Sequence, residues 1–453
     1  MESLARTANR GSISTGYDID NSLKMESDNS ESMTRTPSSS GNRKTWTLSF
    51  WFKRTELGAT ERLFEAWDGS TGTSALFDTA NKFLLDLTAG GNYFTSTAVF
   101  RDTSAWYHFV IRVDTTQGTA SERARVYVNG SELAGSWNSN IGQNTDLTWN
   151  QNVVHYFGVF HNTGNFVNGY YAEVINVDGT SLAPTAFGEF DSDSGIWKPI
   201  DASPTYGTNG FKLEFKTSGG LGADTSGNGH TWTLNNITAA DQATDTPTNN
   251  FCTWNPLWTY QHAGTLTEGA TNRSGSTGQW QGAKGTIGVT NGKWYWENKA
   301  SGNDTIIGWQ TDEGVALTGN SHNILSTIGL YQDGNYIWIK DSTSGRNDTS
   351  ASGSNVSGQI IGFALDLDSS PQTATFYRNG SAIASDVNID GLTGKTIFPF
   401  VAQYNQSSES NFGGYTSFSI SSAASDENGY GTFEYAPPSG YYALCTKNLA
   451  EYG

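Results

Sequence analysis

Polar and apolar residues alternate in short stretches along the chain. In "TWTLSFWF", Trp46, Leu48, Phe50 and Phe52 fall on one side and Thr47, Ser49 and Trp51 on the other. A period of two predicts a strand with one face buried. "YHFVIRV" repeats the pattern with Tyr107, Phe109, Ile111 and Val113, and "VVHYFGVF" and "GYYAEVINVD" supply two more strands. The later half offers "GKWYWENKA", "DTIIGWQTD", "NYIWIKD", "QIIGFALDLD", "TATFYRNGSAIA" and "IFPFVAQY". Helical signal is confined to "SLAPTAFGEF", where Ser181 could cap one short helix with a proline in its first turn.

One strand pair occurs twice. "RVYVNGSELAG" from Arg125 and "TFYRNGSAIAS" from Thr375 each follow a strand that ends in an acidic residue and a polar loop. Asn129-Gly130 and Asn379-Gly380 read as type I′ turns, because Asn and Gly tolerate positive φ. Alignment of the two halves fails beyond this hairpin. Two sandwiches of one architecture with separate histories are therefore expected, with both asparagines as turn residues.

The texture sets the expected boundaries. Residues 1–16 read as an N-terminal docking arm, 17–215 as one β-sandwich and 259–453 as another. Between them, 216–258 is Gly-, Asn- and Thr-rich and reads as an irregular connection with a strand or two of its own.

Composition agrees. Of 453 residues, 13% are aromatic and 52 are glycine, while only 15% are charged. Aromatic strands between many turn formers describe an all-β protein. A net charge of -18 argues against nucleic acid, whose phosphates demand Lys and Arg. No run of about 18 apolar residues offers a membrane span. The start, "MESLARTANRGSIS", lacks the apolar core of a secretory signal, so synthesis in a cytoplasm without export by that route is expected. Cys252 and Cys445, in "FCTWNPL" and "ALCTKNL", are too few for a disulfide scaffold. If those stretches pair as neighbouring strands their thiols could lie close; otherwise both are buried free cysteines.

These words resemble known families. "TWTLSFWFKR", "AWYHFVIRVD", "ARVYVNGSEL" and "YYAEVINVDGTSL" make residues 20–180 similar to laminin-G-like (concanavalin A-like) domains. "GKWYWE", "IIGWQ", "GQIIGFALDLDSSPQTATFYRNG" and "IFPFVAQY" make residues 285–449 similar to a SPRY domain. Both resemblances imply jelly-roll β-sandwiches of the concanavalin A-like class. "FGEFDSDSGIWKPID", "YGTNGFKLEF", "LGADTSGNGHTWTLNNIT" and "DQATDTPTNNFCTWNPL" resemble the connecting segment of bacteriophage structural proteins. That implies a tail-fibre, head-fibre or other virion-surface protein, located in the virion.

Catalytic constellations are sought because glycoside hydrolases share this fold. A retaining pair needs carboxyls about 5 Å apart. Glu173 and Asp178 are five residues apart on a strand, and Glu189, Asp191 and Asp193 alternate among loop formers. "DGLTGKT" has Ile389 where a phosphate loop needs glycine. "TSGNGHTW" resembles an Asp-box with Gly227 at the aspartate position; Asp224, Ser226 and Asn228 read as an Asx-type turn, with Ca²⁺ as the alternative. The histidines lack metal spacing, His108 reads as structural, and no Gly-x-Ser-x-Gly occurs. No enzyme, cofactor or metal is expected.

Binding remains. Sugars stack on aromatics while amides bond their hydroxyls, so Trp137, Asn138 and Asn140 in "AGSWNSNIGQN" are one candidate carbohydrate or receptor cluster. Tyr404, Asn405, Asn411 and Phe412 in "AQYNQSSESNFGGY" are the other. The expected partners are other virion proteins through the arm and a host glycan or receptor. A fibre implies a homo-trimer, although the chain has no heptad stalk. The rivals are a purely structural virion decoration or connector protein and, more remotely, a polysaccharide depolymerase.

Overall fold

The computed structural model describes residues 16–161, 163–258, 264–275, 278, 280–312, 326–331, 336–340, 346–351 and 357–453. The expected docking arm lies, but for Gly16, outside the described residues. Two compact units are present, which meet in sequence between Thr248 and Asn249. Both are built of strands, an all-β architecture.

The first unit begins with β1 (Ser22–Met25), β2 (Ser32–Arg35), β3 (Thr45–Arg54), β4 (Glu61–Trp67), β5 (Gly72–Phe77) and β6 (Lys82–Asp86). It continues with β7 (Tyr93–Val99), β8 (Trp106–Asp114), β9 (Ala124–Val128), β10 (Ser131–Glu132), β11 (Gly135–Trp137) and β12 (Val154–Phe157). Then come β13 (Gly169–Asp178), β14 (Gly188–Phe190), β15 (Trp197–Pro199), β16 (Phe211–Leu213), β17 (Thr233–Asn235) and β18 (Gln242–Ala243). One sheet runs β10-β9-β8-β3-β13-β1-β18, with β16 on β13; the other runs β11-β7-β6-β5-β4-β12-β2-β17. Between them lies an aromatic core that includes Trp46, Phe50, Phe64, Phe109, Trp149 and Tyr171.

β3 departs from the one-faced pattern expected of it: Thr47, Ser49 and Trp51 are buried as well. The reason is a second layer on the far side of its sheet. Val110, Ile175 and Val177 pack there against Phe187 and Ala202, and Lys53 and the Trp106 indole meet Asp245 at 2.6 and 3.0 Å. That layer includes part of the stretch read as a connection. Within 216–248, β17 pairs with β2 and β18 with β1, so this segment closes the first sandwich. The short helix is a single 3-10 turn, Pro184–Ala186, and its N-cap is Ala183. Ser181 instead accepts a hydrogen bond from Arg112.

The second unit comprises β19 (Thr265–Thr267), β20 (Asn272–Ser274), β21 (Trp280–Lys284), β22 (Lys293–Ala300), β23 (Thr305–Thr311), β24 (Thr327–Tyr331) and β25 (Tyr336–Lys340). After them come β26 (Arg346–Ser350), β27 (Ile360–Asp366), β28 (Thr373–Arg378), β29 (Ser381–Asn388), β30 (Ile397–Tyr404), β31 (Ser407–Asn411), β32 (Tyr442–Ala443) and a closing helix α1 (Thr446–Tyr452). Its sheets run β19-β20-β31-β22-β27-β28-β29, with β32 on β22, and β21-β30-β23-β24-β25-β26. Trp294, Trp296, Trp309, Phe363 and Phe376 fill the space between. The helix, two turns long, is too short to show a period in sequence.

The cysteine-bearing ends do pair: Phe251 bridges Cys445, and the Cys252 amide donates to the Leu444 carbonyl at 2.9 Å. One step of register separates the thiols. Cys252 joins the main core and Cys445 a separate cluster with Phe251 and Phe433, and the two form no disulfide.

The two hairpins match in detail. Asn129 and Gly130 have φ of 46° and 78°, Asn379 and Gly380 of 46° and 76°. Each Asn Oδ1 accepts a backbone N–H at the start of the neighbouring strand, from His108 at 2.8 Å and from Ile360 at 3.0 Å. Both are turn residues.

Candidate functional site

The two candidate clusters differ: Asn138, Asn140 and Asn405 are exposed and Trp137 and Tyr404 half-buried, whereas Asn411 and Phe412 are buried. Trp137 pairs with Phe94, whose ring is 5.6 Å away, and so packs toward the core face of the β11 sheet edge. The amide of Asn138 is spent: Oδ1 accepts from the Tyr93 amide at 2.7 Å and Nδ2 donates to the Gly91 carbonyl at 3.2 Å. The Asn140 carbonyl accepts from Asn92. These three residues brace Asn92, Tyr93 and Phe94 at the sheet edge.

In the second unit Tyr404 ends β30 beside Trp280, with ring centroids 6.2 Å apart, and Asn405 is a turn residue (φ 50°) holding the Gly278 amide. Asn411 and Phe412 must be corrected, because neither sits in a loop open to solvent. Asn411 ends β31, is fully buried and donates to Glu297 and to the Thr432 carbonyl. Phe412 is 1% exposed between Trp254 and Trp296. The following Gly413-Gly414 gave the stretch its loop-like texture.

A better site lies on the first unit's sheet face that points away from the core. Because side chains alternate, each strand contributes every second residue to that face. Strand register places Thr34, Tyr156, Glu65, Ser74, Asp86 and Tyr93 in one row across six neighbouring strands. From Tyr156 to Tyr93 is four strand steps, or about 19 Å. The adjoining row places Arg62, Leu76, Leu84 and Thr95 side by side, and Leu76 and Leu84 are only half-buried. A bulge between Arg62 and Phe64 makes this possible: Leu63 and Phe64 both enter the core, and Arg62 is left on the outer face.

One side of the face is walled by aromatics. The Trp67 ring lies over Gly72, where a Cβ would stand 2.6 Å from Cε3. His161 stacks on Trp67 at 4.0 Å and on Phe160 at 3.7 Å, and the Arg62 guanidinium lies 4.5 Å from the Phe160 ring centre. Glu65 Oε2 fixes this wall, accepting from the His161 backbone amide at 2.9 Å and meeting its Nδ1 at 2.5 Å. Arg62 Nη1 donates to Ser74 Oγ at 2.5 Å. Burial raises the Glu65 and Asp86 carboxyls above their ordinary range, against the pull of Arg62 on both. Asp86 also accepts from the amides of Thr88 and Gly90.

Chemically this is a long shallow face with half-buried aromatics at Tyr156, Tyr93 and Trp67 and a half-buried Asp86, while Glu65 and Ser74 between them are buried beneath it. Reading single strands could not find it, because the row joins residues as distant in sequence as Thr34 and Tyr156. The carboxylates flagged in sequence have structural work instead. Glu173, at φ 42° in the β13 bulge, pairs with Lys212 at 3.1 Å, and Asp178 holds the amides of Asn42 and Asn209. Asp191 closes a turn through the Ser194 amide. Asp224 accepts from Lys212, Ser226 and His230 amides, the Asx-type turn of the sequence reading. Among the described residues no group of three His, Cys, Asp or Glu is placed to hold a metal.

Residues 28–180, which carry this face, match the family model of the Concanavalin A-like lectin/glucanases superfamily. No curated protein matches the chain. Solved structures similar to it include the SPRY domain of human HERC1, at 16% identity over 35% of this chain and 96% of that one, with a TM-score of 0.27. The native heptameric SAP-like pentraxin from Limulus polyphemus is 18% identical over 37% and 80%, with a TM-score of 0.29. Domain 4 of the extracellular arabinanase AbnA of Geobacillus stearothermophilus, in complex with arabinotriose, is 18% identical over 36% and 73%, with a TM-score of 0.27.

Proposed function

We propose that the chain is a recognition protein whose first unit binds carbohydrate along its outer sheet face, on the surface of a bacteriophage particle that attaches to its host. The observation that carries the carbohydrate reading is the row Tyr156–Glu65–Ser74–Asp86–Tyr93 with Trp67 and His161 beside it. Half-buried aromatic faces with the Asp86 carboxyl among them suit the apolar and hydroxyl faces of an oligosaccharide, and the buried Glu65 and Ser74 hold the wall beneath. The concanavalin A-like lectin/glucanase match over the same residues supports it. Placement on a virion rests on the phage-like words of residues 187–257.

Binding without turnover is the form proposed. Glu65 and Asp86 stand two strands apart, about 10 Å between backbones, with Ser74 between them bonded to Arg62, and His161 occupies Glu65 Oε2. Glu65 is buried under His161, and both Asp86 oxygens accept backbone amides from Thr88 and Gly90, an arrangement that favours binding over acid catalysis. The test is a glycan array with the full chain, repeated with Tyr156→Ala and Asp86→Asn, beside a reducing-end assay on every bound polysaccharide. Binding weakened at least about tenfold by Tyr156→Ala, with no new reducing ends, is expected. Glycan binding unaffected by either change would overturn the site, and release of reducing ends that Asp86→Asn abolishes would make the chain a depolymerase.

A further inference from the structure

One end of the second unit's core is rich in polar side chains. There Gln281 (β21), Gln403 (β30) and Thr305 (β23) are lateral neighbours on the inward side of one sheet. From the opposite sheet Arg273 on β20, beside Ser408 of β31, reaches into this row. Arg273, Gln403 and Thr305 are fully buried and Gln281 is 2% exposed. Arg273 Nη1 donates to Gln403 Oε1 at 2.7 Å, and Nη2 to Gln281 Oε1 at 3.2 Å. Ser408 Oγ also donates to Gln403 Oε1, at 3.4 Å. With two donors on Oε1, the orientation of the Gln403 amide is fixed, and its NH₂ faces away from the guanidinium.

Three groups of this cluster stay unpaired. Arg273 Nε, Gln403 Nε2 and Thr305 Oγ1 are buried with no hydrogen-bond partner. A buried guanidinium ordinarily carries a carboxylate. Among the described residues none offsets this one: burial alone pulls Arg273 down, to about 10. The adjoining stretches 259–263 and 276–279 contain no Asp or Glu. The Nε–Nη2 edge faces Gly264, where a Cβ would stand 3.1 Å from Nε and 3.0 Å from Nη2. That edge presents parallel N–H groups in the geometry that takes a carboxylate or a planar oxyanion side-on.

We propose that Arg273, Gln403 and Thr305 form a buried site for one small monovalent anion of the carboxylate or planar oxyanion type. The bound anion supplies acceptors to Arg273 Nε, Gln403 Nε2 and Thr305 Oγ1 and holds the two sheets of the second unit together at this end. A ligand that binds the folded state alone raises the unfolding temperature in a saturable way.

The experiment is scanning calorimetry of the full chain at fixed pH and ionic strength, exchanging sodium gluconate, too large for the core, for sodium formate, nitrate or chloride. Wild type is expected to gain several degrees, saturating with formate and nitrate and less with chloride. Arg273→Met should lose the dependence, and Thr305→Val should need several-fold more anion for half the effect. Should Arg273→Met fail to fold, amide exchange of wild type decides: formate should slow exchange at residues 272–274 and 403. An unfolding temperature equal in every salt, a rise linear in salt, or a dependence that survives in a folded Arg273→Met would overturn the site and leave the donors to water.

Discussion

The indole Nε1–H of Trp197 donates to Nδ1 of His108 at 2.9 Å. An indole nitrogen can only donate, so Nδ1 is the bare nitrogen and the proton sits on Nε2, which reaches Ser49 Oγ at 2.8 Å. Trp51 stacks on the same imidazole at 4.6 Å. The second layer of the first unit is thus fastened to its sheet through a neutral histidine.

Acid should undo that fastening. Burial pushes His108 down from 6.5 to about 3, and His155 to about 4. Both folded values lie below the unfolded one, so the stability they contribute is present above pH 6.5 and lost as pH falls from there toward 4 and 3. The loss is on the order of several kcal/mol. Urea unfolding of the wild type should show it, and His108→Gln, which keeps an acceptor for Trp197, should have a shallower pH slope. Equal slopes in the two proteins would refute the assignment.

The repeated hairpin makes a prediction of its own. A Cβ on Gly130 would stand 2.3 Å from the Trp197 ring, and one on Gly380 2.7 Å from the Tyr435 ring. Gly58 has the same kind of φ, +79°, with nothing within 4 Å. Gly58→Ala should therefore cost only the conformational penalty, about 1 kcal/mol. Gly130→Ala and Gly380→Ala should each cost at least about 1 kcal/mol more. Chemical unfolding of the three variants checks it; equal costs would mean that the rings move aside freely.

Strand alternation made the class of fold legible, and the paired Asn-Gly words made the hairpins legible to the residue. Two physical effects hid the rest. Bulges break the period of two: "ERLFEAW" sends Leu63 and Phe64 inward together, so Arg62 and Glu65 share a face that simple alternation denies them. Very short strands have no period at all, and β17 and β18 are recognisable only by their partners near the chain start. The loop-like texture around Asn411 and Phe412 misled for a related reason. Gly413 takes φ of +102° and Gly414 lies against Phe251, so the glycines serve close packing.

Glu297 gives the second unit an opposite response to pH. Its carboxylate is fully buried and accepts from Asn411 Nδ2, Tyr295 OH and the amides of Glu434 and Tyr435. Burial nevertheless raises it from 4.5 to about 7. A carboxyl raised on folding contributes stability that is complete below pH 4.5 and lost as pH climbs through 7, here up to about 3 kcal/mol. Glu297→Gln should destabilise at every pH, since its NH₂ must face a backbone donor. The difference between wild type and variant should narrow as pH rises from 4.5 to 8. A difference constant with pH would show that Glu297 stays ionised throughout.

Lys284 is the clearest place where a polar group could be replaced with profit. It is 4% exposed, its Nζ donates to the Thr311 carbonyl at 2.8 Å, and the rings of Trp258 and Phe398 lie 4.7 and 5.3 Å away. Burial pushes it from 10.5 down to about 8, against the opposing pull of Asp312. A lysine depressed on folding is penalised in its charged form, so stability is lost as pH falls from 10.5 through 8. At neutral pH the full penalty applies, a few kcal/mol before the cation–π contacts and the Thr311 bond offset part of it. Lys284→Met keeps the stem's volume and removes the charge, so it should stabilise the chain at pH 7 by about 1–2 kcal/mol. The gain should shrink toward pH 10, where the wild-type amine is already neutral. Thermal unfolding at the two pH values distinguishes the outcomes: a variant less stable than wild type at pH 7 would mean that the aromatic contacts outweigh desolvation.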